Sequence, residues 1–257
     1  MSAEPTVNID IVPTGIALIT LNRPQRLNAV TAAMLDELDC AAARLNADES
    51  IRVAILTGAG RGFCAGRDKD ELDDVSDDDS RRALPKSGGH HSDMIRRLQM
   101  PAIAAVNGAA VGAGLGFVMQ CDVRIASTDA VFRDGHLATG MSPSIASWYL
   151  PRMIGAGAAL QVFCQLDRID AAAALRLGIV SELVPAAELL TRARVIAEGF
   201  ARYSPELLRH TKSLAMAAME EGYEQNMQRV GLLRGLHARG ASKGAEQVKP
   251  YATKPPG

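Results

Sequence analysis

The chain has no excess of either charge. Lysine and arginine number 28 against 29 aspartates and glutamates, a net charge of −1, so there is no basic surplus to attract a nucleic-acid backbone. Its four cysteines (Cys40, Cys64, Cys121 and Cys164) show no CxxC spacing, which argues against a zinc site or a dithiol redox centre. Unpaired thiols in a chain of this size point to a reducing compartment. The first residues, MSAEPTVNID, lack a basic stretch followed by an apolar one, so no secretory signal is expected. Three common catalytic signatures also find no support. Gly112-Ala113-Gly114-Leu115-Gly116 begins like a dinucleotide fingerprint, but the sixth position counted from Gly112 is Phe117, and no acidic residue ends a partner strand at the required distance. No G-x-x-x-x-G-K-[ST] occurs, which excludes a P-loop phosphate cradle. The one G-x-S-x-G match, Gly240-Ala241-Ser242-Lys243-Gly244, falls in a Gly- and Lys-rich tail with no strand pattern before it, so no nucleophile elbow is expected.

What is present is the composition of a globular protein. Hydrophobic residues make up 47% and charged residues 22%, which excludes disorder over the whole length. At roughly 150 residues per domain, 257 residues make one to two domains. A chain of this length buries about three quarters of its unfolded surface and needs no disulfide or metal to hold a core. Residues Ala102 to Met119 run for eighteen positions without a charge, close to the length of a membrane span. Asn107, four glycines (108, 112, 114 and 116) and a preceding Pro101 instead fit a strand, a glycine-rich turn and a buried helix. A soluble cytoplasmic protein is expected.

The first 58 residues alternate strand and helix signals. Val7 to Val12 and Ile16 to Leu21 read as strands around the turn Pro13-Thr14-Gly15. Thr31 can cap a helix running to about Leu45, with Met34, Leu35, Leu38 and Ala42 on its apolar stripe. Arg52 to Thr57 is a compact apolar strand, completing a crossover unit of an α/β fold. Residues 68–79 hold eight acidic residues in twelve and read as a solvated loop, or as a cover beside a site. His90 and His91 follow with no cysteine nearby and Asp93 as the close acid, too small a set for a metal site, so no metal role is expected. Strands are expected at 103–106 and 122–126, with a helix beginning at Gly114 between them. Beyond Ser144 the pattern is helical over 145–154, 156–164, 171–177, 187–203 and 205–221, Pro205 suiting a first turn after Ser204. From Gly231 onward a loose tail is expected.

Two glycine-rich turns each follow a short apolar strand: Gly62-Phe63-Cys64-Ala65-Gly66-Arg67-Asp68 and Asn107-Gly108-Ala109-Ala110-Val111-Gly112-Ala113-Gly114. Small residues let backbone N–H groups approach a ligand, and a helix start points its free donors outward. Two donors converging on one oxygen make an oxyanion hole. Tight packing alone explains either turn equally well.

The ordered motifs LNRPQRLNAV (21–30), VAILTGAGRGFCAGRD (53–68), PAIAAVNGAAVGAGLG (101–116), CDVRIAS (121–127) and LPRMIG (150–155) make the chain resemble the crotonase (enoyl-CoA hydratase/isomerase) superfamily over about residues 5 to 240. The resemblance implies an α/β fold, a crotonase-like spiral of β-β-α units over 1–200, with a helical C-terminal region and tail over 201–257. It implies homotrimers, often paired into hexamers. It also implies an acyl-CoA thioester as substrate, with CoA arriving as part of the substrate and no separate cofactor or metal. In such proteins two backbone N–H groups hold the thioester carbonyl; the matching residues here are Arg67 and Ala113. Ala65, Gly66, Gly112 and Gly114 would shape the same turns. Arg26 matches a cation near the CoA phosphates, where a guanidinium makes charge-assisted contacts. Asp68 matches an acidic residue after the first turn, suited to capping the next segment.

The departures carry the sharper expectations. Hydratases of this family use two glutamates to hold and deliver a water. The first falls here on Gly116, which has no side chain, and the second on His136 of VFRDGHLATG. Two-carboxylate hydration is therefore not expected. An imidazole with an ordinary pKa near 6.5 can still give and take a proton at neutral pH, and Asp134 is placed to orient it or to lie on the opposite face. Ser142, Ser144 and Tyr149 are candidate hydrogen-bonders to substrate, and Trp148 is expected to pack. The leading reading is an acyl-CoA enzyme that stabilises a thioester enolate while His136 shuttles a proton, a double-bond shift fitting better than hydration. Two alternatives remain at this stage. One is a C–C hydrolase of β-diketones, a branch of the superfamily with a histidine in a D-G-P-H stretch that Asp134-Gly135-His136 approaches. The other is an acyl-CoA-binding relative without chemistry.

Overall fold

The computed structural model describes residues 4–73, 93–164 and 168–240. A six-stranded sheet forms the centre, in the order β1 (Val7–Val12), β2 (Ile16–Leu21), β3 (Val53–Gly58), β4 (Ala102–Val106), β6 (Val123–Ser127), β9 (Glu182–Val184). β1 and β2 form an antiparallel hairpin in the register Val7↔Leu21, and every later pairing in this sheet is parallel. A smaller sheet stacks β5 (Ala109–Val111), β7 (Val131–Arg133) and β8 (Ile169–Asp170). The mixed α/β architecture expected from the alternating signals is the one observed.

Both faces of the central sheet are covered, which is why its middle strands read as continuous apolar runs rather than as alternation. Side chains one residue apart leave a strand on opposite faces. Ala54 and Leu56 of β3, with Ala102, Ala104 and Val106 of β4, enter the larger core beside Phe63, Phe117 and Phe132. Val53, Ile55, Ile103 and Ala105 enter a second core closed by Leu189, Ala193, Ala197 and Leu208. Those four residues come from helices α7 (Leu189–Phe200) and α8 (Pro205–Ala217). Helix α1 (Ala32–Ala47) starts where Thr31 Oγ1 accepts the Met34 N–H at 3.2 Å, and it buries Met34, Leu35, Leu38, Ala41, Ala42 and Leu45. That stripe repeats at helical spacing.

Two expectations are corrected. The acidic stretch is not wholly a solvated loop: Asp68 is buried, and Lys69–Asp73 form a short helix, α2. The rest of the stretch, with His90 and His91, lies outside the described residues. The segment from Gly231 is not loose through residue 240, because it belongs to helix α9 (Tyr223–Gly240). Its leucines, arginines, glutamines and alanine are strong helix formers, and these outweigh the scattered glycines. Helices α3 (Ala113–Gln120), α4 (Ala146–Ile154), α5 (Ala156–Cys164) and α6 (Ala171–Leu177) complete the described elements used below. Among the described residues no helix is long and apolar enough to cross a membrane.

Candidate active site

The two glycine turns leave the C-terminal ends of β3 and β4 and meet there. Cys64 and Ala110 form a parallel bridge, with the Cys64 N–H bonded to Ala109 O at 2.9 Å and the Val111 N–H to Cys64 O at 2.9 Å. A second bridge joins Val30 to Arg67: Val30 N–H donates to Gly66 O (2.8 Å) and Asp68 N–H to Val30 O (2.9 Å). With its two neighbours bonded to Val30, the N–H of Arg67 itself faces the other way. Gly66 has φ +95° and Gly112 φ +52°, values that glycine adopts without steric cost. A Cβ placed on Gly66 would lie 3.0 Å from Val111 O and 3.8 Å from Ala113 N. Ala113 is the first residue of α3, and no side chain caps that start. Among the described residues, neither the Arg67 nor the Ala113 N–H has an acceptor. Two unspent backbone donors therefore stand on adjoining turns, one reinforced by a helix dipole.

Arg67's side chain is exposed, Ala65 is half-buried with its N–H on Leu27 O, and Gly114 is buried against Cys64. Cys64 itself is no nucleophile, since burial pushes its thiol up to about 12.

The β5–β7 pairing draws a third segment to the same place. Val111 pairs with Arg133, Gly112 N–H donates to Arg133 O at 2.9 Å, and a Cβ on Gly112 would lie 3.5 Å from Asp134 O. The chain then turns through Gly135 into His136. The His136 ring Nδ1 is 2.9 Å from Asp134 Oδ1, which also accepts the His136 backbone N–H at 3.2 Å. Asp134's side chain is fully buried, and His136 is 17% exposed. Of the two roles open to Asp134, the structure shows the orienting one. In the neutral tautomer that donates Nδ1–H to this carboxylate oxygen, Nε2 is the acceptor. Among the described residues Asp134 Oδ2 has no partner.

Position 116 contrasts with this. Gly116 lies in the second turn of α3, and a Cβ built there would fall 2.5 Å from Ile145 Cγ2.

Asp68 works as a clasp. Its Oδ2 is 2.7 Å from Arg23 Nη1, its Oδ1 is 3.6 Å from Arg26 Nη2 and accepts the Asp70 N–H at 3.2 Å. The hydrogen bond from Arg23 is the main reason the Asp68 carboxyl is held below its ordinary range, against the cost of burial. Arg26 is half exposed and also bonds Asp70, so its charge is already matched by carboxylates. Ser142 and Ser144 are exposed. Tyr149 is 5% exposed with its ring edge-on to Trp148 at 4.8 Å, and burial raises its phenol, so Tyr149 serves the core. Trp148 packs there as expected, with the guanidinium groups of Arg96 and Arg152 over its ring.

Sequence reasoning missed Asn28. It is fully buried at φ +55°, and its Nδ2 faces the carbonyls of Ala59, Gly62 and Phe63 at 2.9, 2.8 and 3.2 Å. One amide thus shapes the whole approach to the first turn. An asparagine two residues after a Pro-Gln-Arg turn was the available signal, because asparagine tolerates left-handed backbone. Lys212, 8% exposed and 2.8 Å from Asp122, was also missed; it ties α8 to the start of β6. A cavity of about 900 Å3 opens between residues 96–99 and the start of α8. It lies at the N-terminal ends of the parallel strands, opposite the glycine turns, and its Arg96, Arg97 and Lys212 are paired with Glu220, Asp39 and Asp122. Among the described residues no cluster of three or more His, Cys, Asp or Glu could hold a metal ion.

Two glycine turns at the ends of parallel strands, each with an unspent backbone N–H, are an arrangement that can stabilise a developing oxyanion. The sequence pattern of the enoyl-CoA hydratase/isomerase family matches residues 12–249. A probable enoyl-CoA hydratase of Mycobacterium bovis is 36% identical over 226 residues, covering 84% of this chain and 79% of that protein. Among solved structures, an enoyl-CoA hydratase of Mycobacterium smegmatis superposes with a TM-score of 0.85 at 29% identity, covering 91% of each chain. A monofunctional enoyl-CoA isomerase from M. smegmatis superposes with a TM-score of 0.73 at 37% identity, covering 88% of this chain and 99% of that one. The chain belongs to the enoyl-CoA hydratase/isomerase family, the crotonase superfamily that its motifs resemble, and it is an enzyme of that family.

Proposed function

We propose that the enzyme shifts a double bond in an enoyl-CoA thioester. The thioester oxygen accepts the N–H groups of Arg67 and Ala113, held by the turns containing Ala65, Gly66, Gly112 and Gly114. His136 Nε2 removes a proton from C2 of a 3-enoyl thioester; the C–H electron pair moves toward the carbonyl oxygen, giving a dienolate stabilised by the two donors. The imidazolium then returns the proton at C4, and the double bond ends between C2 and C3. Asp134 holds the ring in the tautomer that leaves Nε2 free and stabilises the transient imidazolium. CoA enters as part of the substrate, no metal or redox cofactor takes part, and Arg26 exchanges Asp70 for a CoA phosphate. Assembly as a homotrimer or hexamer belongs to the same proposal and is checked by sedimentation.

One observation carries this reading: the Asp134–His136 pair stands beside the second glycine turn, while position 116 has no side chain. One base serving two carbons suits a proton shuttle, whereas adding water across a double bond calls for a second group to hold the water. The test is turnover of a panel of 2- and 3-enoyl-CoA thioesters by wild type and His136→Ala, with products resolved by chromatography and mass. Isomerised product, lost by about 10²-fold or more in the variant while thioester binding persists, is the expected result. Equal activity in both proteins overturns the assignment of His136, and hydrated product from the wild type overturns the reaction. The carboxylate pairing of Arg26 favours a second reading, a β-diketone C–C hydrolase that needs no CoA phosphate site. Cleavage of a diketone with no activity on any thioester would establish it.

A further inference from the structure

Position 116 is not merely vacant. A Cβ on Gly116 would sit 2.5 Å from Ile145 Cγ2, far inside any real carbon–carbon contact. That methyl is the one heavy atom among the described residues within 4 Å of the point, outside the glycine's chain neighbours and its own helix backbone. The other described residues leave that space open. Ile145 is the residue before α4, is half-buried and packs against the larger core. Its β-branched side chain is stiff about χ1, so the methyl does not swing aside freely. The helix α3 that carries Gly116 also carries the Ala113 donor one turn earlier. An aliphatic methyl from a different segment thus reaches into room that a side chain at 116 would fill, one helical turn from the Ala113 donor.

We propose that Ile145 is the specificity-determining residue of the acyl site, selecting thioesters whose acyl group is an unbranched hydrocarbon near the reacting carbons and rejecting groups branched or hydroxylated there. The inference rests on the acyl-CoA reading above. A hydroxyl placed against the methyl loses its water and gains no hydrogen bond. An extra branch meets a methyl held in place by the core, and one carbon in such a pocket is worth roughly 10- to 200-fold in selectivity.

The test uses the full chain and three probes: a straight-chain 2-enoyl-CoA, its 3-methyl-branched analogue and the matching 3-hydroxyacyl-CoA. Affinities are measured by calorimetry in the His136→Ala background, so that turnover does not intervene. Ile145→Ala and Ile145→Leu, which both remove the β-branch methyl, are expected to shift the branched-to-straight affinity ratio at least 10-fold toward the branched probe. Ile145→Val retains the branch and is expected to keep the wild-type ratio. A separate readout needs no ligand: Gly116→Ala should lower Tm in the wild type and raise it in the Ile145→Ala background, where the helix propensity gain is unopposed. Thioester binding with an unchanged ratio, or Val and Leu variants that behave alike, overturns the inference and leaves the acyl-CoA reading standing. No binding of any probe by the wild type removes both.

Discussion

The two glycine turns place the same kind of group, a backbone N–H, by different physics. The first turn is gripped by polar side chains from residues 23–28: the Asn28 amide on three carbonyls, and Arg23 with Arg26 around Asp68. The second is wedged by shape. A Cβ on Gly114 would lie 2.2 Å from Cys64 O, and one on Gly108 would lie 2.2 Å from Arg61 O. Charge and hydrogen bonding respond to pH and salt; steric fit does not. The two halves of one proposed hole should therefore fail under different insults.

The largest expected effect is at the wedge. Gly114→Ala forces a methyl into a backbone oxygen that cannot yield without moving the first turn, a cost on the order of 3 kcal/mol; urea denaturation measures it. Next is Asp68→Asn, which leaves the largely covered Arg23 without its carboxylate. A loss of roughly 2 kcal/mol is expected, between the values for exposed and buried pairs. The comparison breaks if Asp68→Asn proves the costlier change. Acid sharpens it further. Asp68 has a folded pKa below its ordinary 3.8, so its contribution is fully present above that pH and is lost as pH falls through the folded value. The stability of Asp68→Asn should accordingly fall less steeply than wild type below about pH 4, with Gly114→Ala paralleling wild type. The smallest effect is Arg26→Ala, a half-exposed arginine facing a mostly exposed Asp70, worth about 0.5 kcal/mol or less in stability. Any larger loss of thioester affinity in that variant, measured by calorimetry, then reports the CoA contact alone.

Much of the fold was legible because its long elements carry strong local patterns. The hairpin of β1 and β2, the Thr31-capped helix and the helices at 156–164 and 171–177 fall where capping residues and periodicity put them. The strands β5, β7, β8 and β9 escaped because two or three residues are too few to show alternation. Those short strands matter most for the candidate site, since β5 and β7 bring Asp134 and His136 to Gly112. The glycine spacing together with the family resemblance pointed to Arg67 and Ala113, whose N–H groups have no acceptor among the described residues. The partners of Asn28 and Ile145 were not readable, because the carbonyls that Asn28 Nδ2 bonds and the Gly116 that Ile145 faces lie more than twenty residues away in sequence, although the left-handed backbone of Asn28 had a local signal.

If the donors are the amides of residues 67 and 113, mutation meets them unevenly. Every residue except proline carries the same N–H, so almost any exchange of side chain at these two positions leaves the polarising apparatus chemically intact. Positions 116, 136 and 145 have no such protection; a single codon change at any of them alters the proposed wall or the proposed base. The scaffold thus separates an inheritance that is hard to lose from one that is easy to rewrite, and drift toward a new reaction would run through the second while the first persists.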